Sequence, residues 1–154
     1  MGTEVKSMTK ILVDSNILIY SLQKQALEKH QSANALLEKL SKDGTLTLSV
    51  QNLAETSRVI LEKSTSHSFD EDELASRLSI LARLSLVLNY GPTTVAQAIR
   101  LVKTHKLHFF DALLVATMQE NSIEEIITEN TGDFKKIPGI KAINPFEKIK
   151  ERKS

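Results

Sequence analysis

The sequence predicts an α/β protein with an open, mainly parallel sheet of about five strands and helices on both faces of that sheet. Short β-rich runs alternate along the chain with longer segments of helical periodicity, which is the pattern of parallel strands joined by helical crossovers. The first run, Ile11-Leu12-Val13, has no polar alternation, as expected for a strand buried on both faces. In such sheets ligands bind beyond the carboxyl ends of the strands, so polar residues at those ends are candidates for function.

The predicted elements of the first third of the chain follow from apolar stripes and turn residues. A strand at 10–14 precedes a helix over 27–40, which Asp43-Gly44 brings to an end. The apolar residues of this helix share one face: Ala33, Leu36, Leu37 and Leu40. A second strand at 45–50 contains Ser49, which is placed to cap the next helix. The buried stripe of that helix is Leu53, Thr56, Val59 and Ile60.

The rest of the chain continues the alternation of strands and helices. A polar linker at 64–68 leads to a helix over 70–83, and acids in its first turn complement the helix dipole. The remaining predicted elements, in chain order, are a strand at 84–89, helices at 93–104 and 109–121, a strand at 124–128, a turn or short helix at 129–134 and a strand at 140–143.

Composition describes one ordinary globular domain. Hydrophobic residues make up 41% and charged residues 25% of the 154 positions, a balance that can bury a single core. The 20 Lys and Arg residues nearly equal the 19 Asp and Glu residues, so no global positive charge indicates a nucleic-acid-binding protein, although a local patch could. The absence of cysteine excludes disulfides and thiolate metal sites.

We expect three segments: residues 1–8 as a loose N-terminal extension, residues 9–146 as the folded domain and residues 147–154 as a basic C-terminal tail. No apolar run approaches the roughly 20 residues that span a bilayer, and the N-terminus lacks the apolar core of a signal peptide. We therefore expect a cytoplasmic protein without a membrane partner.

Four acids follow or flank the predicted strand ends: Asp14, Glu55, Asp111 and Asp133. Taken singly, each has a structural explanation as an Asx-turn, a helix-start residue or a solvated helical charge. Taken together, they would all lie at one edge of a parallel sheet. Clustered carboxylates need either raised pKa values or a cation, and oxygen ligands suit Mg²⁺ or Mn²⁺. Three neutral residues could orient the carboxylates or a water molecule: Asn16, Thr128 and Asn130.

At these residues the chain resembles PIN-domain proteins, and specifically the single-domain VapC-type endoribonucleases of toxin–antitoxin systems. The resemblance runs from about Thr9 to Pro145. Four motifs in family-like order carry it: "ILVDSNILIY", "SVQNLAETSRVI", "HFFDALLVATM" and "IITENTGDF". The chain departs from the family in having His108-Phe109-Phe110 before the third acid. It also has Glu129 and Gly132 in a turn that often carries a basic residue.

The resemblance implies a three-layer α/β/α PIN-like fold with a central parallel sheet, and cleavage of RNA that depends on Mg²⁺ or Mn²⁺. It matches Asp14, Glu55, Asp111 and Asp133 to the acidic metal site, and Asn16, Thr128 and Asn130 to supporting polar positions. It further implies a homodimer and a small antitoxin protein that inserts into the active-site groove. The implied reaction is attack of a cation-activated water on phosphorus, with Glu55 orienting the water or a metal ligand.

Other functions are compatible with parts of the sequence. A haloacid-dehalogenase-like phosphatase also begins with an Asp after its first strand, but it needs a second Asp where this chain has Asn16. A PIN nuclease that processes RNA without an antitoxin fits the same acids. A non-catalytic PIN module that binds RNA or a partner is disfavoured because acids stand at all four positions.

Several residues outside the acid set are candidates for other roles. His105 and His108 precede Asp111 at three-residue spacing, which superficially resembles a transition-metal cluster, but we interpret the two histidines as one solvated and one half-buried side chain. Seven cations could contact phosphates but fit a solvated surface equally well: Arg58, Lys63, Arg100, Lys103, Lys106, Lys135 and Lys136. Three aromatic residues are expected in the core or a dimer interface: Phe109, Phe110 and Phe134.

Overall fold

An all-parallel sheet of five strands forms the centre of the computed structural model, which describes residues 9–63 and 70–149. The strands are β1 Ile11–Val13, β2 Leu46–Ser49, β3 Leu86–Leu88, β4 Glu125–Ile127 and β5 Lys141–Ile143. Their spatial order is β3-β2-β1-β4-β5, so the chain begins at the middle of the sheet and builds outward in both directions. Residue Leu12 of β1 pairs with Thr47 on one side and Ile126 on the other. The predicted parallel sheet is confirmed.

Six α-helices connect these strands within the described residues: α1 Ser15–Leu22, α2 Leu27–Asp43, α3 Val50–Lys63, α4 Glu71–Arg83, α5 Pro92–His105 and α6 Phe109–Glu120. A 3-10 turn covers Phe134–Lys136, where the sequence predicts a turn or short helix. Helix α1 has no counterpart among the predicted elements. It has eight residues and starts directly after Asp14, so it is too short for helical periodicity to separate it from the strand before it.

Helices cover both faces of the sheet, which gives the expected three-layer α/β/α architecture. On one face, α5 and α6 pack on the strands through residues that include Ala98, Ala112 and Leu12. On the other face, α1 and α2 pack against residues that include Val13. Because successive strand residues point to opposite faces, neighbouring residues of β1 belong to different cores, and both Leu12 and Val13 are fully buried. Strand β1 is therefore held from both sides.

Local capping residues set the helix ends as the sequence predicts. Gly44 ends α2 in the left-handed region at φ 72°, a conformation that glycine adopts without a steric penalty. The hydroxyl of Ser49 accepts a hydrogen bond from the backbone N–H of Asn52 at 3.0 Å, and Asn52 Oδ1 accepts one from the backbone N–H of Ser49 at 3.0 Å. This reciprocal cap fixes the start of α3 at the end of β2.

The predicted extension at 1–8, the linker at 64–68 and the tail residues 150–154 lie outside the described residues, whereas residues 147–149 form a helical turn. Across the described part of the chain, helix length and hydropathy fall short of what crossing a membrane requires.

Candidate active site

Asp14 is fixed where β1 ends and α1 begins. Its backbone N–H donates to the Ile127 carbonyl at 3.0 Å, and its Oδ1 accepts from the backbone N–H of Ser15 at 2.7 Å. Its Oδ2 accepts from the Thr128 hydroxyl at 2.8 Å. Burial raises the pKa of Asp14, and the hydrogen bonds from Thr128 and Ser15 act in the opposite direction. The carboxylate is therefore held in one orientation at the carboxyl edge of the sheet.

Thr128 connects Asp14 to two of the predicted supporting residues. The side chain of Thr128 is fully buried, and its oxygen accepts from Asn16 Nδ2 at 3.1 Å and from the backbone N–H of Asn130 at 3.0 Å. Asn16 also accepts from the backbone N–H of Glu129 at 3.2 Å. Asn130 contributes through its backbone, since the residue itself is exposed. The hydroxyl proton of Thr128 is thereby left to point at Asp14.

Glu55 lies on α3 and is held in position by a hydrogen bond from a buried glutamine, Gln51. Gln51, which is 5% exposed, donates from Nε2 to Glu55 Oε1 at 2.7 Å and to the backbone carbonyl of Phe110 at 2.8 Å. Burial raises the pKa of Glu55, and the charge of Asp14 adds to the rise, while the bond from Gln51 and the charge of Arg58 oppose it. One amide therefore ties α3, Glu55 and the start of α6 together.

Asp111 and Asp133 form a carboxylate pair. Burial, a hydrogen bond with Asp133 and the charges of Asp14 and Asp133 together raise the pKa of Asp111 to about 7, against the opposing charge of His108. Burial favours a higher pKa for Asp133 too. Hydrogen bonds from the backbone and ring of His108 and from Lys136 outweigh this effect and hold the pKa of Asp133 well below its usual range. The two pKa values are thus driven apart, and Asp133 is the more readily ionised member of the pair.

Of the four sequence-predicted acids, Asp111 and Asp133 form a close cluster together with His108, and Asp14 and Glu55 lie near enough for the charge of Asp14 to act on its neighbours. Asp14 is the common element, because its charge raises the pKa of both Glu55 and Asp111, and Asp111 and Asp133 have oxygen atoms within 4.8 Å of each other. Such crowding of carboxylates is relieved by a cation. Two further observations fit a divalent ion: every acid offers an oxygen ligand, and Gln51 Oε1 is buried without a hydrogen-bond partner in the described chain. The donor set therefore suits Mg²⁺ or Mn²⁺.

Two further residues belong to the site: Gln51, which sequence reasoning missed, and His108, which it interpreted as a residue without a metal role although the structure places it beside Asp111 and Asp133. His108 has an exposed ring, as expected for one of the two histidines, but its Nδ1 also lies 2.8 Å from Asp133 Oδ2. His105 is half-buried, as expected for the other. The contact of His108 spans 25 positions, so no local pattern reveals it. Gln51 could have been suspected from its position one helical turn before Glu55.

The expectations for aromatic and basic residues are met in part. Phe134 is fully buried in the core, as predicted, but Phe109 and Phe110 are 37% and 60% exposed. The core interpretation is therefore wrong for these two, because they sit on the first turn of α6, whose buried residues begin at Ala112. Among the cations, Lys136 contacts the site directly, donating to Asp133 Oδ1 at 3.0 Å. Arg58 instead pairs with Glu62 on the exposed face of α3.

A family model of the PIN domain matches residues 11–140. Comparison with curated proteins gives no significant sequence match.

Several solved structures share the fold. A toxin–antitoxin complex from Klebsiella pneumoniae is 24% identical over 90% of this chain and 99% of its own, with a TM-score of 0.64. VapC20 from Mycobacterium tuberculosis, described as a sarcin–ricin loop cleaving toxin, is 18% identical over 82% of this chain and 94% of its own, with a TM-score of 0.65. VapBC2 from Rickettsia felis, solved with a promoter DNA fragment, is 18% identical over 88% of this chain and 98% of its own, also with a TM-score of 0.65. Because the family model covers most of its length, the chain belongs to the PIN-domain family.

Proposed function

We propose that this protein is an endoribonuclease that depends on Mg²⁺ or Mn²⁺ and hydrolyses phosphodiester bonds in RNA. The observation that carries the proposal is the close pair of Asp111 and Asp133 beside Asp14, whose charge acts on Asp111 and on Glu55. Membership of the PIN-domain family supports it. The description of VapC20, which shares the fold, as a sarcin–ricin loop cleaving toxin supports RNA as the substrate.

The residues take separate roles in the proposed reaction. Asp14, Asp111 and Asp133 would hold the divalent ion, and Thr128 keeps Asp14 in place. When bound, the ion supplies Lewis-acid stabilisation of the phosphate and lowers the pKa of a water. Glu55 orients the attacking water and accepts its proton. The raised pKa of Glu55 suits this role, because a stronger base accepts a proton more readily near neutral pH.

The phosphatase alternative loses support from the position of Asn16. A second acid two residues after Asp14 would serve as the proton donor and acceptor in that mechanism. The Asn16 side chain instead donates a hydrogen bond to the Thr128 hydroxyl and accepts one from the backbone N–H of Glu129. It therefore has a structural use in a site built around Asp14 as a metal ligand.

The central experiment compares RNA cleavage by the wild type and by Asp14→Asn with Mg²⁺, with Mn²⁺ and with a chelator. Asparagine at this position can still accept the hydrogen bond from the Ser15 backbone, so we expect the variant to fold. Its cleavage rate should fall by at least about 10²-fold, which is the scale of losing one catalytic electrostatic contact. Asp72→Asn, which changes an exposed acid of α4, is the control. Cleavage by Asp14→Asn at the wild-type rate, or cleavage that survives the chelator, contradicts the proposal.

We further propose that the protein is the cytoplasmic toxin of a toxin–antitoxin pair, a homodimer neutralised by a small antitoxin. The solved complexes from Klebsiella pneumoniae and Rickettsia felis, which share the fold, support this assignment. Induced expression should arrest growth in the wild type and leave Asp14→Asn cells growing, and the product of an adjacent small reading frame should restore growth. Arrest-free expression of an enzyme that is active in vitro would favour RNA processing without an antitoxin.

A further inference from the structure

His108 contacts the Asp111–Asp133 pair, although the four acids already supply oxygen ligands for a cation without it. Its ring Nδ1 is 2.8 Å from Asp133 Oδ2, and its backbone N–H donates to the same oxygen at 2.9 Å. Ligand atoms of His108, Asp111 and Asp133 all lie within 4.8 Å of one another. The imidazole is 88% exposed, so packing does not hold it in this position.

The spacing of these atoms matches that of neighbouring ligands on one ion. Two adjacent ligands in an octahedral shell with bonds of about 2.1 Å are separated by about 3 Å. The Nδ1–Oδ2 separation of 2.8 Å is close to that value. The two atoms share a hydrogen bond in the metal-free protein, so an ion that binds both would replace the proton between them. The other oxygen of Asp133 is bonded by Lys136, which fixes the carboxylate and leaves the Oδ2 side facing His108.

We propose that His108 gives the carboxylate site a nitrogen ligand, so that the site selects a first-row transition-metal ion such as Mn²⁺ over Mg²⁺. The inference rests on the proposed metal-dependent function and deepens it. Carboxylate and water oxygens accept Mg²⁺ and Mn²⁺ alike, whereas an imidazole nitrogen is a softer ligand that suits transition metals. One nitrogen ligand added to the carboxylates therefore shifts the preference away from Mg²⁺.

The neighbouring histidine provides a matched comparison. His105 ends α5, three positions earlier, and is absent from the cluster that His108 forms with Asp111 and Asp133. The chain thus offers two histidines on the same stretch, only one of which touches the site.

The experiment measures metal binding directly and does not depend on RNA cleavage. Calorimetric titrations with Mn²⁺ and with Mg²⁺ are made on the wild type, His108→Ala and His105→Ala. Pulsed electron paramagnetic resonance on the Mn²⁺-loaded proteins reports whether a ¹⁴N nucleus is coupled to the ion. His108→Ala keeps the backbone N–H that binds Asp133 and changes an exposed side chain, so the carboxylate pair should stay in place.

We expect ¹⁴N coupling in the wild type and in His105→Ala, and none in His108→Ala. Loss of an outer partner of a metal ligand already lowers affinity about 10- to 100-fold, so Mn²⁺ affinity should fall by at least about tenfold in His108→Ala. Mg²⁺ affinity should change by less than about threefold, since Mg²⁺ keeps waters in place of a weak ligand.

Three outcomes overturn the inference in distinguishable ways. Absence of ¹⁴N coupling in the wild type, or equal losses of Mn²⁺ and Mg²⁺ affinity in His108→Ala, removes His108 as a ligand and leaves the proposed ribonuclease intact. Failure of the wild type to bind either ion contradicts both this inference and the metal-dependent function.

Discussion

Thr128 and Asp14 are separated by 114 positions in the chain, yet the Thr128 hydroxyl donates to Asp14 Oδ2 at 2.8 Å. The bond joins the ends of β4 and β1, which are neighbours in the sheet. Because Asn16 Nδ2 and the Asn130 N–H both donate to Thr128, the direction of the hydroxyl proton is set. The orientation of Asp14 is therefore determined by a residue with no charge of its own.

Replacing Thr128 by valine should impair the site while retaining the shape of the side chain. Three polar groups lose a partner in this partly buried site, and we expect a destabilisation of about 1 kcal/mol, the lower end of the cost of unpairing a buried group. Metal affinity should fall as well, because the pKa of Asp14 rises further without the bond that opposes burial. Chemical denaturation and Mn²⁺ titration measure the two effects.

Thr128→Ser is the matched control for this change, since it keeps the hydroxyl and removes only a methyl group. It should retain most of the metal affinity. Equal losses in Thr128→Ser and Thr128→Val would show that packing at this position matters and that the hydrogen bond to Asp14 does not.

The stability of the metal-free protein should fall as the pH rises from 5 to 8. The folded-state pKa of Asp111 is about 7, against an ordinary value of 3.8. The stability that this raised pKa contributes is therefore fully present below about pH 4 and is lost as the pH rises through 7. Asp14 and Glu55 have raised pKa values and act in the same direction. Asp133 has a lowered pKa and loses its stabilisation only at pH values below this window.

Asp111→Asn should flatten this pH dependence, because asparagine does not titrate. Urea unfolding in chelator at pH 5 and pH 8 measures the effect in both proteins. Saturating Mn²⁺ should restore stability to the wild type at pH 8, since a ligand that binds only the folded state stabilises it. A wild type and a variant with the same slope between pH 5 and pH 8 would exclude Asp111 as the cause.

Gln51 should affect activity through Glu55. Gln51→Met removes the amide that bonds Glu55 and the Phe110 carbonyl, so the carboxylate becomes free to turn away from the site. We expect the rate of RNA cleavage to fall with little change in KM, because a positioned base acts in the transition state.

A double-mutant cycle tests this route of action. If Gln51 acts by orienting Glu55, then adding Gln51→Met to Glu55→Gln should lower the residual rate by less than it lowers the wild-type rate. Additive losses would indicate that Gln51 acts instead on the start of α6 through Phe110.

The sequence allowed the sheet edge to be predicted, because parallel topology alone brings strand ends together. Asp14 follows a strand and Asp133 lies shortly after another, and their elements are neighbours in the sheet. Helix ends were predictable for the same kind of reason, since Gly44 and Ser49 act on backbone within a few residues. Each of these features depends on local pattern plus one topological rule.

The parts that sequence could not supply depend on contacts between distant segments. His108 meets Asp133 across 25 positions, and Gln51 meets the Phe110 carbonyl across 59. Neither contact has a periodic signal, and an exposed histidine in a loop ordinarily has no partner. Phe110 is exposed because it lies on the first turn of α6, before the buried run that starts at Ala112, and an almost continuously apolar segment does not reveal where burial begins.

The turn after β4 should be stabilised by an ion pair at Glu129, the acid that stands where the family often has a basic residue. Glu129 Oε1 accepts from the Tyr20 hydroxyl at 2.7 Å, and Lys29 Nζ pairs with Oε2. Lys29 also lies 5.1 Å from the centre of the Tyr20 ring. Lys29→Met should destabilise the protein by about 1–3 kcal/mol, because a hydrogen bond between charged, half-buried groups is lost. Lys42→Met breaks an exposed pair with Glu38 and should change stability by less than about 0.5 kcal/mol. Urea denaturation of both variants measures the difference, and equal effects would mean that the pair at Glu129 is no stronger than a surface contact.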